Sequence, residues 1–406
     1  MGFPPRSGVG IIAPTPGEHE SESGHIATYM MMSIVWHFHS EIHIFTRKTA
    51  SMEPLFENVT IHRIGKPFAS SPWYLRLPGQ VVYQIKYSML LWKHRRRLQL
   101  VIFGGSGFFI PILWTKFLRK HTIYRIGGII QYQEETTAGR VKILWLTIIK
   151  FVQRVMYTTA DTIVVISPYV AEFAGLERYS HKILSWCHFY FDFELFDCKT
   201  PFEEREDVVG QVGIMSEVKG SRKFVEGMTE LADSGAPDHR SVMIGDGPLE
   251  PELERIAAKR GLDIEFTGRT PRERVAAEMN RMKLLVITSE TEGGPKVAWE
   301  AMACGTPVVS TEVGMVPDFV VDGENGFLLE SNDPSTIASR VAEILARDDL
   351  AAVSQAARNT AIRSFSYSKA VTGYRELLET ATPITPPPMG EIDVDQIDPY
   401  FESVEK

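Results

Sequence analysis

The stretch SETEGGPKVAWEAMACGTPVVST, residues 289–311, decides the fold of this chain. An apolar run of strand length, 284–289, leads into it, and a glycine-containing turn follows. Residues 296–304 then have helical periodicity, and 308–311 form a second strand-length run. Pro295 suits the start of that helix because it has a fixed φ and no N–H to donate. A strand–helix–strand unit of this kind predicts two parallel strands in one sheet.

The same alternation extends outward over both halves of the chain. Further strands are predicted in the second half at 208–215, 242–244, 264–267 and 327–329, and helices at 221–232, 249–260, 272–282 and 334–345. In the first half, strands are predicted at 9–13, 42–45, 59–64, 100–103, 122–126 and 162–166, and helices at 24–37, 78–97, 138–158 and 168–176. The fold class is therefore α/β, with two Rossmann-like, doubly wound lobes.

Domain boundaries follow from composition. The N-terminal lobe is predicted over 1–200 and the C-terminal lobe over 201–365, joined by a polar stretch. A helix at about 366–381 is expected to pack back on the N-terminal lobe. The last segment, 382–406, is rich in proline and acidic residues, so we expect a mobile tail.

Composition excludes several classes of protein. The chain has 406 residues, of which 44% are hydrophobic, ample for two cores. Its three scattered cysteines form no disulfide framework or zinc motif and suit a reducing, cytoplasmic compartment. We expect no signal peptide. The apolar runs at 98–114 and 143–152 are short or interrupted, so neither is predicted to span a membrane, although the second could lie on its surface.

The charge is unevenly distributed along the chain. Residues 1–200 carry 22 Lys and Arg against 14 Asp and Glu, whereas 201–406 carry 21 against 37. Residues 83–154 hold 13 basic side chains and only two acidic ones, Glu134 and Glu135. Such a basic segment suits an anionic membrane surface or a phosphate-bearing acceptor. Nucleic acid is not expected, because the chain as a whole is acidic and carries no nucleic-acid motif.

The turn before the predicted helix has the residues of an anion site. Gly293 and Gly294 let the backbone approach a ligand closely. The N-terminus of the following helix offers free N–H groups and a positive dipole end, which suit a diphosphate. Glu300 lies about one and a half turns into the helix, where a carboxylate can accept hydrogen bonds from a sugar diol.

This stretch resembles the signature of retaining glycosyltransferase family 4, whose members have the GT-B fold of two Rossmann-like lobes facing each other across a cleft. The matching positions are Glu292, Gly293, Pro295, Glu300, Ala301, Met302, Ala303, Gly305, Pro307 and Val308. The resemblance implies that Glu292 lies by the donor sugar and acts in catalysis. It implies that Glu300 binds the nucleotide ribose.

Four other segments are similar to landmarks of that family. The turn from Gly213 to Gly220 resembles the family's phosphate-binding turn, in which Lys219 would neutralise the donor diphosphate. Residues 245–248 and 266–269 match two later loops, and the second implies that Gly268 and Arg269 lie near the nucleotide base. The loop 14–25, which includes Gly24, occupies the place of the family's glycine loop, facing the acceptor and the diphosphate.

The chain also departs from the family pattern. Ile214 stands where an arginine usually completes the phosphate clamp, and we expect Arg222 or Lys223 to be the nearest substitutes. Arg125 and the residues after it stand where many members have a histidine near the donor sugar. No metal site is predicted: His37, His39 and His43 lack convincing metal spacing and are interpreted, like the strand residue His62, as structural.

The resulting prediction is a metal-independent hexosyltransferase without a cofactor. It moves a sugar from a nucleotide-sugar to a glycan or lipid-linked acceptor with retention of configuration, on the cytoplasmic side of a membrane. Two alternatives remain open. One is a non-catalytic binding or scaffold protein on the same fold, favoured by Ile214. The other is a nucleotide-sugar hydrolase or epimerase, which would release nucleotide without an acceptor.

Overall fold

The structure is a computed structural model that describes residues 8–12, 22–47, 53–65, 73–105, 107–126, 140–235, 239–387 and 392. The chain divides into two compact units. The N-terminal unit comprises Met1–Tyr190 and Tyr367–Lys406, and the C-terminal unit comprises Phe191–Ser366. The last helix thus belongs to the N-terminal unit.

The N-terminal unit is built on a seven-stranded parallel sheet. Its strands are β1 (Gly8–Ile12), β2 (Glu41–Arg47), β3 (Val59–Ile64), β4 (Leu98–Phe103), β5 (His121–Ile126), β6 (Thr162–Val165) and β7 (Ile183–Ser185). They lie in the order β3-β2-β1-β4-β5-β6-β7, and each neighbouring pair is parallel. β1 and β6 are buried along their whole length, as expected for strands covered on both faces.

Helices cover the two faces of this sheet. They are α1 (Glu22–Val35), α2 (Trp73–His94), α3 (Phe109–Phe117), α4 (Arg140–Thr159), α5 (Pro168–Phe173) and α13 (Tyr367–Ala381). α13 is held by Trp186, whose indole N–H donates to the carbonyl of Ala370, and by Tyr374, whose hydroxyl lies 2.8 Å from Nε2 of buried His39. His37 likewise lies 2.7 Å from the Tyr367 hydroxyl. The structural interpretation of these two histidines is therefore correct.

The C-terminal unit repeats the architecture with six parallel strands. They are β8 (Val208–Val212), β9 (Arg240–Ile244), β10 (Ile264–Phe266), β11 (Leu284–Ile287), β12 (Val308–Thr311) and β13 (Phe327–Leu329), in the order β10-β9-β8-β11-β12-β13. Its helices are α6 (Ser221–Asp233), α7 (Glu250–Arg260), α8 (Arg272–Arg281), α9 (Lys296–Ala303), α10 (Val316–Phe319), α11 (Pro334–Leu345) and α12 (Leu350–Phe365). The predicted Rossmann-like fold is confirmed in both units.

Strand order fixes where a ligand can bind. Each sheet reverses its winding direction between its first strand and its fourth, between β1 and β4 in one unit and between β8 and β11 in the other. In such sheets the loops at the carboxyl ends of these two strands separate and leave a crevice. These two crevices are therefore the expected ligand-binding sites of the two sheets.

The local predictions fail at a few points. α3 and α12 are whole helices where the sequence pattern indicated only a helix start or no element. Asp333 occupies the N-cap position of α11, but its side chain makes no capping hydrogen bond. In the segment 382–406, Ile384 and Ile392 are each 7% exposed, whereas Pro383 and Thr385 are exposed, so the mobile tail stays a prediction. No helix among the described residues is long and apolar enough to cross a membrane.

Candidate functional site

An open pocket lies at the switch point of the C-terminal unit. The residues that line it come from the end of β8, the start of α6, and the loop between β11 and α9. They include Gly213, Ile214, Lys219, Ser221, Ser289 and Glu292. Three of the predicted site residues, Gly213, Lys219 and Glu292, therefore meet in one crevice, although they are up to 79 residues apart in the sequence.

The turn from β8 to α6 is fixed by backbone contacts that only glycine permits. Gly213 has a φ of 137°, and its N–H donates to the carbonyl of Ile244. Gly220 has a φ of 64°, and a Cβ there would stand 2.1 Å from the carbonyl oxygen of Thr288. The Thr288 hydroxyl accepts from Gln211 and lies 2.8 Å from the Gly220 carbonyl, to which it donates. The Lys219 turn is thereby tied to the end of β11.

An ion pair lies at the centre of the pocket. The Lys219 ammonium donates to a carboxylate oxygen of Glu292, and the Ser289 hydroxyl donates to the same oxygen over 3.0 Å. The two side chains are 34% and 14% exposed, so both remain accessible from the pocket. The backbone of Glu292 and Gly293 packs closely against Gly314, where a Cβ would stand 2.4 Å from the carbonyl oxygen of Gly293.

Two helices begin at this pocket. Ser221, the first residue of α6, and Val297, in the first turn of α9, both line it. Their N-terminal N–H groups and dipoles favour an anionic ligand. Pro295 is the N-cap residue of α9 rather than its first helical residue, which corrects the prediction by one position. Gly294 lies immediately before it.

Glu300 lies deeper in α9 and is not among the residues that line the pocket. Its side chain is 15% exposed and lies 3.9 Å from the guanidinium of Arg272, at the start of α8. Burial raises the pKa of the Glu300 carboxyl above its ordinary value, while Arg272 and Lys296 act in the opposite direction. A buried carboxylate with a raised pKa gains from any ligand that donates hydrogen bonds to it.

An apolar side chain lies where the family usually has the arginine of the phosphate clamp. Ile214 is 60% exposed and lines the pocket. Arg222, one of the two expected substitutes, donates to Glu217 at 3.0 Å and to Glu252 at 2.6 and 2.9 Å, and these carboxylates raise its pKa. Arg222 is thus held by two carboxylates, and it is not among the residues that line the pocket. Lys223 is half-buried in the first turn of α6 and is not among the lining residues.

The remaining predicted residues lie elsewhere. Gly268, with a φ of 62°, accepts from Gly245 over 3.0 Å, which holds the loop after β10 beside the loop after β9. Arg269 follows it and is exposed. Gly24 belongs to the N-terminal unit, and because α1 begins at Glu22, it lies in the first turn of a helix and not in the predicted loop. The rest of that loop, 13–21, lies outside the described residues.

Arg125 is the penultimate residue of β5 in the N-terminal unit, where the family usually has a histidine. It is 5% exposed, and its guanidinium Nη1 lies 3.2 Å from Nδ1 of the fully buried His188. Burial lowers the pKa of Arg125 to about 10. A cation therefore occupies the place of the expected imidazole.

Sequence reasoning missed four residues of the pocket and its support. Thr288 and Gln211 are polar residues within or at the end of apolar strand runs, a signal that marks a specific buried contact. Ser289 was included in the signature stretch without a role. Arg272, which faces Glu300, had no local signal because it is brought there by the packing of α8 against α9.

Sequence comparison finds relatives for the part of the chain that contains the pocket. Residues 192–360 match the family model described as glycosyl transferases group 1. An uncharacterised glycosyltransferase of Methanocaldococcus jannaschii is 35% identical over 143 residues, which cover 35% of this chain and 41% of that protein. A D-inositol 3-phosphate glycosyltransferase of Corynebacterium jeikeium is 30% identical over 188 residues, covering 44% and 45% respectively. Each match thus spans less than half of the relative.

Solved structures extend the similarity to both units. HepE of Anabaena in complex with UDP aligns with a TM-score of 0.68 at 16% identity, over 92% of this chain and 99% of that chain. Sucrose-phosphate synthase of Thermosynechococcus elongatus aligns with a TM-score of 0.65 at 19% identity, over 92% and 98%. The chain has the GT-B glycosyltransferase fold, and its C-terminal unit is similar to the group 1 glycosyl transferases. The fold inferred from residues 289–311 is confirmed, whereas membership of family 4 and retention of configuration stay predictions.

Proposed function

We propose that this protein is a glycosyltransferase that moves a hexose-type sugar from a nucleotide-sugar to a glycan or lipid-linked acceptor, with retention of configuration. One observation carries the proposal. The Lys219–Glu292 pair lies in the switch-point pocket at the N-termini of two helices, within the segment that matches the glycosyl transferase family. A cation and two helix dipoles suit a diphosphate, and a carboxylate beside them suits a sugar.

Each residue has a role in this reaction. Lys219 and the N–H groups at the start of α6 and α9 neutralise the diphosphate as it leaves. Glu292 orients the donor sugar and stabilises positive charge at the anomeric carbon. Glu300 accepts hydrogen bonds from the ribose, and Gly268 and Arg269 lie toward the base. The reaction requires no metal ion and no cofactor, because the charge stabilisation comes from these groups.

The acceptor side of the proposal concerns a surface of the N-terminal unit. α2 exposes an apolar stripe at Ile85, Met89 and Trp92, and the next two helices expose Phe117 and Phe151, each more than 60% accessible. Exposed basic residues surround this surface, namely Lys86, Lys93, Arg96, Arg97, Arg119, Lys150 and Arg154. Apolar side chains among cations match an anionic lipid surface. We therefore propose peripheral binding to the cytoplasmic face of a membrane, where a lipid-linked acceptor would be presented.

The function is tested by a thermal-shift screen against nucleotide-sugars and nucleoside diphosphates. Uridine nucleotides lead the panel, because HepE was solved with UDP and with UDP-glucose. A donor that binds the folded protein raises its melting temperature by mass action. We expect a shift with one nucleotide-sugar that is lost in Glu300→Gln. Glu290→Gln, which removes an exposed carboxylate from the loop after β11, is the matched control and should keep the shift.

The alternatives give different results in this screen and in an assay of nucleotide release without acceptor. Rapid release of nucleotide from the bound donor without any acceptor would identify a hydrolase. Absence of a shift with every nucleotide would favour the scaffold protein and would make the apolar Ile214 the explanation. A shift that survives Glu300→Gln would remove the ribose role from that residue.

A further inference from the structure

Three histidines come together at the edge of the N-terminal sheet, far from the pocket in sequence. His43 lies in β2, His62 lies in the edge strand β3, and His94 is the last residue of α2. One side-chain nitrogen from each lies within 4.8 Å of those of the other two. We call these three residues the histidine cluster. Since they are separated by 19 and 32 positions, sequence spacing gave no indication of the cluster.

The three rings of the cluster differ in their hydrogen bonds. Nδ1 of His43 lies 3.0 Å from Nε2 of His62, and its other nitrogen, Nε2, lies 3.3 Å from a carboxylate oxygen of Glu41. Nε2 of His94 is buried, and no partner lies within hydrogen-bonding distance among the described residues. A buried ring nitrogen without a partner is uncommon, because it loses its hydrogen bond to water and gains none.

Burial lowers the pKa of all three imidazoles, that of His62 to about 4, and repulsion from the neighbouring histidines adds to the effect at His62 and His94. Lys93 and Arg97 lower these pKa values further, whereas Glu41 raises those of His43 and His94. Neutral imidazoles keep a lone pair free at pH 7. The two cations are exposed and therefore screened by solvent, and Glu41 supplies a nearby negative charge.

We propose that the histidine cluster binds one divalent transition-metal ion of the zinc class. Nδ1 of His43 and Nε2 of His62 and of His94 are the three ligand atoms. Glu41 accepts from the second nitrogen of His43 and orients that ring, as carboxylates commonly do for metal-bound histidines. Three imidazoles suit zinc, copper, nickel or cobalt rather than magnesium or calcium. The proposal is independent of the sugar-transfer reaction.

Binding requires a small contraction of the cluster. At metal–nitrogen distances of about 2.0–2.1 Å, tetrahedral ligand atoms stand about 3.3 Å apart. The His43 and His62 nitrogens are already at 3.0 Å, so His94 is the ring that must approach. Its position at the end of α2, only partly buried, permits that rotation. The ion would then join β2, β3 and the end of α2, and it would stabilise the edge of the sheet.

The rival explanation is aromatic packing without metal. The rings of His43 and His62 stack with centroids 5.2 Å apart, and Phe45 stacks on His62 at 4.9 Å. Such stacking fills space and needs no ion. A variant that keeps the ring but removes its nitrogens separates the two explanations, and His62→Phe is that variant.

The test uses the full chain without a polyhistidine tag, stripped with chelator and desalted at pH 7.5. Zn²⁺ and Co²⁺ are added separately, and bound metal is measured by equilibrium dialysis with elemental analysis. The visible absorption of Co²⁺ reports the ligand field. We expect one ion per chain and a rise in melting temperature with Zn²⁺. His94→Gln and His62→Phe should each bind at least tenfold more weakly, since even the loss of an outer-shell partner costs about 10–100-fold.

His181→Gln is the matched control, because His181 is exposed in a short 3₁₀ helix away from the cluster. It should bind as the parent does. The proposal is overturned if the parent binds no stoichiometric metal, or if His94→Gln binds as tightly as the parent. If His62→Phe does not fold, His94→Gln alone decides, since His94 ends its helix and is not fully buried.

Discussion

The donor diphosphate and the Glu292 carboxylate compete for the Lys219 ammonium. The carboxylate neutralises the ammonium, so a diphosphate must displace Glu292 from Lys219. Glu292→Gln removes this competitor and also removes the charge that supports the sugar in the transition state. We expect nucleoside diphosphate to bind roughly tenfold more tightly, which corresponds to about 1.4 kcal/mol of binding free energy. We expect sugar transfer to fall roughly 100-fold or more.

Calorimetry and initial rates measure the two effects separately. Glu290→Gln serves as the control, because it removes an equal charge from an exposed position nearby. Loss of both affinity and transfer in Glu292→Gln would instead show that Glu292 holds the diphosphate through Lys219. That result would contradict the proposed competition.

Ile214 offers a gain-of-function test of the phosphate clamp. Its side chain is 60% exposed at the pocket, so a longer polar side chain fits there without disturbing a core. Ile214→Arg adds a cation that can bind phosphate with two hydrogen bonds. We expect nucleoside diphosphate to bind about tenfold more tightly by calorimetry. Val218→Arg, on the same turn but not among the lining residues and 43% exposed, should change the affinity little.

Glu300 gives the site a pH dependence. Burial raises its pKa in the free protein, and hydrogen bonds from the ribose to the carboxylate lower it in the complex. The donor therefore prefers the ionised form. Affinity should be constant above the raised pKa and should decrease as the pH falls through it toward the ordinary value of 4.5. Titration calorimetry across acidic pH checks this, and Glu300→Gln should give a flat profile. An equal slope in both proteins would contradict the assignment.

At this scale the sequence predicted residues that line the pocket better than the residues that support them. Glu292 and Lys219 were found because their spacing within an ordered motif is local. Thr288, Arg272 and the histidine cluster were missed because tertiary packing brings them into place from distant elements. The sequence also could not show that Glu252, 30 residues away, binds Arg222.

α6 carries the element-scale prediction because a glycine lies at each end of it. Gly220 and Gly235 have φ values of 64° and 74°. A Cβ at Gly220 would stand 2.1 Å from the Thr288 carbonyl oxygen, whereas one at Gly235 has no neighbour within 4 Å. Gly235→Ala should lower the free energy of unfolding by about 1 kcal/mol, the cost of a left-handed backbone alone. Gly220→Ala should lower it by about 3 kcal/mol or more, because of the added clash.

Urea denaturation of both variants measures the difference. Gly220→Ala should also weaken donor binding, since it displaces the turn that carries Lys219, while Gly235→Ala should not. Equal destabilisation by the two substitutions would mean that Thr288 does not fix this turn. In that case the close approach of α6 to β11 would have no structural role.

Element boundaries were predictable where the periodicity was strong and the terminal residues were distinctive. α9 and α11 fall within one residue of their predicted bounds, as Pro295 and Pro334 mark their starts. α3 was missed because Pro111 and the preceding glycines suggested a loop, although its buried residues Pro111, Ile112 and Thr115 anchor a helix. α12 was missed because its position depends on packing against α9, where Phe365 stacks on Trp299 at 4.7 Å.

At the scale of the whole molecule, the two units repeat one architecture but carry opposite charge. The N-terminal unit has five more basic than acidic side chains, and the C-terminal unit has 13 more acidic than basic ones. The acidic C-terminal unit nonetheless concentrates its anion-binding groups in one pocket. The basic charge of the N-terminal unit is spread over α2, α3 and α4, beside exposed apolar residues. Local pocket charge suits a small ligand, while a broad basic face suits an extended one.

The last prediction concerns the basic residues on and next to α2, α3 and α4, which we call the basic face. Replacing Arg95, Arg96 and Arg97 together with glutamine should weaken binding to vesicles containing anionic lipid roughly 100-fold at low salt. The charge-matched control replaces Arg255, Lys259 and Arg260 with glutamine, three exposed residues of α7 in the C-terminal unit. Because it lowers the net charge equally, it should leave vesicle binding unchanged if the face, and not the total charge, is responsible. Cosedimentation at two salt concentrations measures both, and binding of the parent should weaken as salt increases. Equal losses in the two variants, or none in the first, would exclude this face as the membrane contact and would make a water-soluble glycan the better acceptor.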